Sequence, residues 1–185
     1  MLFKKSGVIA LMILMMAATF LNGCCCFLGA ENGWYDISNF VMPDDSEFIA
    51  EIEELTAPWL IAAYMETNFE YQLSGCAKSP YLLWKTKKGD CNDFALFGVY
   101  VASYHGYDAY LVRIFFEDSD TRHWLGVYWE EVFGLYSYTS NQFFSYYVLK
   151  DIGGVVENYC KIHQKNWMKY EVYDYRMNLV EEKSK

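Results

Sequence analysis

The sequence predicts an α+β domain, and two observations carry that reading. Apolar residues recur at helical spacing from Phe48 to Tyr104, and from Ala109 onward the period changes to two. Helices first and an antiparallel sheet second make two layers around one core. With 185 residues, 54% of them hydrophobic and 21% charged, the chain can form that core without metal or disulfide staples.

The elements follow in order. Asp44 and Asp45 are placed to cap a helix starting near Ser46, with Phe48, Ile49, Ile52 and Leu55 on one face and glutamates on the other. Pro58 restarts a helix as its first-turn residue, and Leu60, Ile61, Tyr64, Met65 and Phe69 continue the stripe. Ser74 to Pro80 reads as a loop. Phe94 to Tyr104 is apolar on nearly every side, which places that helix in the centre of the domain. His105 and Gly106 end it. Ala109–Phe116 is a strand, Glu117 to Asp120 a polar turn and Arg122 to Glu130 a second strand. Val132 to Gly134 turns the chain again into a third strand, Leu135 to Thr139. The remainder is mixed, with a helix around Ile152 to His163.

Ahead of this domain the chain reads as an address. Lys4 and Lys5 precede an apolar stretch from Gly7 to Leu21, shorter than the ~20 residues that span a bilayer but the right size for a signal-peptide core. It ends in Leu21-Asn22-Gly23-Cys24, which resembles the lipobox of bacterial lipoproteins. That resemblance implies a leader over residues 1–23, acylation of Cys24 as the mature N-terminus, a tether over 24–43 and a domain over 44–185. The alternative is an uncleaved short anchor. Either puts the domain at the cell envelope, outside the cytoplasm and tied to a membrane. For Cys25 and Cys26, further acylation, a disulfide or neither are all open, and so is a pairing of Cys76 with Cys160.

A formal net charge of -9 argues against a nucleic-acid partner, whose affinity comes largely from neutralising phosphates. Removing Lys4 and Lys5 makes the mature chain more acidic still, so an anionic bilayer would hold it through lipid and not through its surface. No cysteine pair has zinc-finger spacing, and Glu117, Asp118 and Asp120 fit a hairpin turn better than a calcium loop. No metal and no cofactor are expected. His163 falls in the mixed C-terminal region and has a minor claim to chemistry.

The chemistry centres on Cys91. It stands at the N-terminus of the central helix, where free backbone N–H groups and the helix dipole favour a thiolate and predict a lowered thiol pKa. His123 lies on the second strand, at a position that can face the helix start and serve as a base. Lys85, Lys87 and Lys88 precede the cysteine and are solvated by default.

Gly89-Asp90-Cys91-Asn92-Asp93-Phe94-Ala95, the helix closing at Gly106-Tyr107-Asp108-Ala109, and His123-Trp124 on a strand together resemble the transglutaminase-like superfamily. The match covers roughly Thr56 to Asn141. It implies a papain-like core, Cys91 as nucleophile, His123 as base, and protein or peptide amide bonds as substrate, whether hydrolysed or passed to an amine. The family's third member, typically Asp, falls on the next strand, which here reads Gly134 to Asn141 without an aspartate. Leu135, Ser137, Thr139 and Asn141 would share one face of that strand. Asn141 is the expected orienting group through its amide oxygen, with Thr139 as the alternative. The missing aspartate also leaves open a second class of function, a non-catalytic binding or assembly module on the same fold.

Overall fold

The computed structural model describes residues 42–73 and 77–185. The leader, Cys24 and nearly all of the tether lie outside the described residues, as does Cys76. Among the described residues no helix is long and apolar enough to cross a membrane.

The chain is a mixed α+β domain with a six-stranded antiparallel sheet and, among the described residues, five helices. Helix α1 (Ser46–Glu54) starts where the acidic pair predicted. Asp45 is the cap, its Oδ1 accepting from the Glu47 and Phe48 N–H groups at 3.1 and 3.2 Å. The Asp45 Oδ2 also receives Lys85 at 2.8 Å and the Tyr81 hydroxyl at 2.7 Å, and these partners hold its carboxyl well below the usual range. Helix α2 (Pro58–Asn68) opens on its proline and buries Ile61, Ala62 and Met65.

Between α2 and the central helix the chain is more structured than a plain loop. Helix α3 (Pro80–Thr86) is capped by Ser79, and two short strands, β1 (Glu70–Tyr71) and β2 (Lys88–Gly89), pair in parallel. The basic residues there are engaged. Lys88 pairs with Glu70 at 2.9 Å, and Lys87 sits over the rings of Trp84, Tyr64 and Phe69.

Helix α4 (Cys91–Tyr104) is the predicted central helix, with nine of its residues buried. His105 caps its C-terminus and Gly106 leaves it in the left-handed region (φ 84°) that suits glycine. The His105 ring reaches Ile52 O on α1 at 2.8 Å instead of serving its own helix.

Strand β3 (Ala109–Phe116) has the predicted bounds. Strands β4 (Ser119–Glu130) and β5 (Leu135–Ser140) run slightly further than their patterns required. Strands β6 (Phe143–Leu149), β7 (Trp167–Tyr173) and β8 (Leu179–Ser184) complete the sheet, and helix α5 (Ile152–Ile162) lies between β6 and β7 in sequence. The strand order is β6-β5-β4-β3-β7-β8.

Two cores flank the sheet. On one face α1 to α4 pack on Ala109, Leu111, Trp124 and Tyr128. On the other, α5 packs on Val112, Ile114, Leu125, Val127 and Tyr138. Period-two alternation decides which residue of each strand meets which helix layer. Tyr128 locks α4 to the sheet. Its hydroxyl bonds Thr139 Oγ1 at 2.8 Å and occupies the space that a Cβ on Gly98 or Gly126 would need, 2.4 and 2.5 Å away. Both glycines are required by this close approach of helix and strand.

Candidate active site

The Gly89-Asp90-Cys91-Asn92-Asp93 block has a local physical explanation. Asp90 is the N-cap of α4, its carboxylate accepting from Asn92 N–H, and Asp93 reaches back to Asp90 N–H at 3.0 Å, which completes a capping box. The other Asp93 oxygen accepts from Lys78 N–H at 2.6 Å, so this fully buried carboxyl clamps the incoming loop to the helix start. A Cβ on Gly89 would lie 2.7 Å from the Asp93 side chain and from Leu83, so the returning carboxyl leaves room only for glycine. Cys91 is thereby fixed as the first helical residue.

The Trp124 backbone N–H lies close enough to the Cys91 sulfur to favour its charged form, as do the Asn92 and Cys91 N–H groups at the helix start. The Trp129 N–H points toward β3, bonding Asp108 O, so alternation turns the Trp124 N–H toward the β5 side. There β5 has already ended, its last pair being Ser140 with Leu125. The sulfur therefore sits at the open edge of β4, beside the residue that follows His123.

The expectation of a lowered thiol pKa is not met. Burial pushes the Cys91 thiol up and Asp90 adds to the rise, while the three N–H groups oppose it without prevailing. The helix N-terminus is real, but desolvation outweighs it. His123 is displaced in the complementary direction. Burial, with Lys165 and His163 nearby, lowers its pKa to about 4. At neutral pH the site holds a neutral thiol and a neutral imidazole, not an ion pair. No hydrogen bond joins Cys91 to His123 in this structure.

His123 does not point into the α4 layer. It shares the α5 face with Leu125 and Val127, and its ring stacks on Tyr159 of α5 at 4.8 Å with an interplanar angle of 10°. Its Nε2 meets Ser140 Oγ at 3.0 Å. The expected orienting groups are elsewhere. Asn141 occupies the β5–β6 turn with φ 54°, and its Oδ1 is buried without a partner. Thr139 is buried on the α4 face, bonded to Tyr128. The correction has a plain cause. The β4–β5 register pairs Leu125 with Ser140, so His123 shares its face with Tyr136, Tyr138 and Ser140, not with Leu135, Ser137, Thr139 and Asn141.

Three residues not singled out in the sequence line the site. Ser140 touches His123, and Tyr159 stacks on it. Tyr71, exposed and stacked over Phe94 at 6.4 Å, lies within electrostatic reach of Cys91. The phenols of both Tyr71 and Tyr159 are raised chiefly by burial; the charge Cys91 would carry adds to the rise at Tyr71 and, after that of Cys160, at Tyr159. The sulfur thus lies within electrostatic reach of two aromatic walls. Beyond Ser140 a groove of about 380 Å³ runs past Tyr138, Phe143, Phe144, Ile162 and His163. Cys160 is a buried free thiol on α5. The exposed Glu117–Asp120 hairpin holds no metal cluster, and none occurs among the described residues.

The half-buried, neutral His123 makes stability pH-dependent. Its folded pKa is depressed from 6.5 to about 4, so the unfolded chain binds the proton first. Its contribution is complete above pH 6.5 and is lost as the pH falls toward 4, by about 3 kcal/mol at most. Urea unfolding across this range should show the fall in the native protein and a shallower one in His123→Gln. Parallel slopes would assign the acid sensitivity to other groups.

A comparison with protein-family models finds no match, and a comparison with curated proteins finds none.

Proposed function

We propose that this domain is a thiol enzyme of acyl transfer on a papain-like, transglutaminase-like core. It would act on amide bonds of protein or peptide substrates at the cell envelope, where a lipid on Cys24 would tether it. The observation that carries the reading is the seat of the Cys91 sulfur. It lies at the start of a buried helix, within reach of the N–H of Trp124, the residue next to His123. The resemblance of the Gly89–Ala95 block and His123-Trp124 to that superfamily supports the same chemistry.

The neutral pair sets the order of proton transfer. Ser140 occupies Nε2 of His123, which leaves Nδ1 to take the thiol proton as the sulfur bonds to the substrate carbonyl carbon. The developing oxyanion is met by backbone N–H groups at the helix start and at Trp124. When the C–N bond breaks, the imidazolium returns its proton to the leaving amine. An acyl-enzyme remains, to be released by water or by a second amine. Tyr71 and Tyr159 are both within electrostatic reach of the sulfur, so an extended acyl group would meet aromatic rings near it.

One observation favours a second reading. The absence of a direct Cys91–His123 hydrogen bond, with neither group ionised, suits a binding or assembly module on the same fold. The two readings differ in what Ser140 does. In an enzyme, Ser140→Ala should slow acyl transfer from a small activated ester to Cys91 by about ten- to a hundredfold, since orientation is part of the machinery. Asn141→Gly, which suits the left-handed backbone there, should leave the rate within about twofold. If Ser140→Ala were silent and Asn141→Gly damaging, the assignment of Ser140 would be wrong. No acylation in any variant would favour the binding module.

A further inference from the structure

We propose that Tyr159 is a positioning residue of this site, holding the His123 ring by stacking and closing a hydrogen-bond chain from His123 through Ser140 to the tyrosine hydroxyl. The inference rests on the acyl-transfer reading, and it supplies what that reading lacks, a substitute for the missing carboxylate. An imidazole that is to accept a thiol proton at Nδ1 must carry its own proton on Nε2, and something must accept that N–H. In that tautomer Ser140 Oγ, at 3.0 Å from Nε2, is the acceptor. A hydroxyl that accepts can hold this direction only if its own hydrogen has a destination.

Tyr159 offers one. The Tyr159 phenol lies within reach of the Ser140 hydroxyl, which eases the phenol's ionisation against the larger effect of burial, and the proposed chain has Ser140 donating to it. The phenol is also fixed in space. The Tyr159 ring lies between two imidazoles, His123 at 4.8 Å and His163 at 4.3 Å between centroids. Its helix is pinned to β5 by Tyr138 Oη donating to Asn158 Oδ1 at 2.8 Å, and is capped by Asp151. Helix α5, on the opposite face of the sheet from the cysteine helix, thereby becomes part of the site.

The imidazole tautomer tests this in the intact domain without requiring turnover. Long-range proton–nitrogen NMR should show the native His123 ring protonated on Nε2 at neutral pH. Tyr159→Phe keeps the ring and removes the hydroxyl. It should mix the tautomers and lower the acyl-transfer rate constant about five- to thirtyfold with little change in KM, whereas Tyr159→Leu should lose more by freeing the ring. A native ring protonated on Nδ1 would overturn the proposal, and so would a Tyr159→Phe variant with unchanged tautomer and rate. Should no variant fold, the native tautomer alone still decides. A domain with the expected tautomers but no acylation of Cys91 would keep the positioning role and remove the enzymatic reading.

Discussion

His123→Ala is expected to slow acylation of Cys91 by about three orders of magnitude, within the ~10²–10⁴ range that a positioned general base supplies. The size of the effect follows from the resting charge state. Burial keeps the thiol protonated, so the sulfur cannot draw on a standing thiolate when the base is lost. An enzyme with a preformed thiolate would keep part of its reactivity without the histidine. Here the proton must leave during attack, and His123, whose Nε2 meets Ser140, is the base assigned to take it at Nδ1. The rate in Cys91→Ser should fall at least as far. The comparison is made with the same activated ester on folded variants. A loss of less than tenfold in His123→Ala would show that another group takes the proton.

The second large effect concerns Asp93 and the fold. Its two oxygens accept from Asp90 N–H and Lys78 N–H inside the protein, and its side chain fills the space beside Gly89. Asp93→Ala removes both acceptors and leaves two donors with restricted access to water, at about 3–5 kcal/mol for bonds of this kind. Urea or thermal unfolding should register that loss, while Asp93→Asn, which keeps one carbonyl acceptor, should lose less. Because the same clamp sets the first turn of α4, Asp93→Ala should also slow Cys91 acylation in whatever fraction remains folded. An unfolding midpoint unmoved by Asp93→Ala would mean that the clamp contributes little to holding the helix start.

The parts of this arrangement that were legible in the sequence are those set locally. Helix α4 is announced by its uniform apolarity and by the Asp90–Asp93 cap, and strand β3 by alternation with clear polar ends. The candidate nucleophile and base were legible for the same reason, as residues placed by short-range pattern. The orienting group proposed above, Ser140, was not. Choosing between Asn141 and Ser140 requires the β4–β5 register, and a turn one residue longer would carry the opposite set of side chains to the face of His123. Nothing in Val132-Phe133-Gly134 specifies that parity.

Tyr159 was hidden differently. Its helix was visible, but 17 tyrosines in the chain give no reason to single one out until tertiary packing brings it against His123. The lowered thiol pKa expected of a helix N-terminus failed because burial is a tertiary property, and here it exceeds the local field. Strand β8 left no signal at all, since it is exposed along its whole length and lacks a buried face to impose alternation.

The central claim is that Cys91 carries an acyl group during the reaction, delivered with His123 as base. Intact-mass and peptide mass spectrometry after brief exposure to an activated ester or peptide thioester measures this directly. The account predicts one acyl adduct, on Cys91, formed rapidly by the native domain, absent in Cys91→Ala and strongly slowed in His123→Ala, with Cys160 unmodified. An adduct distributed over other residues, or one on Cys91 that forms at the same rate without His123, would contradict it.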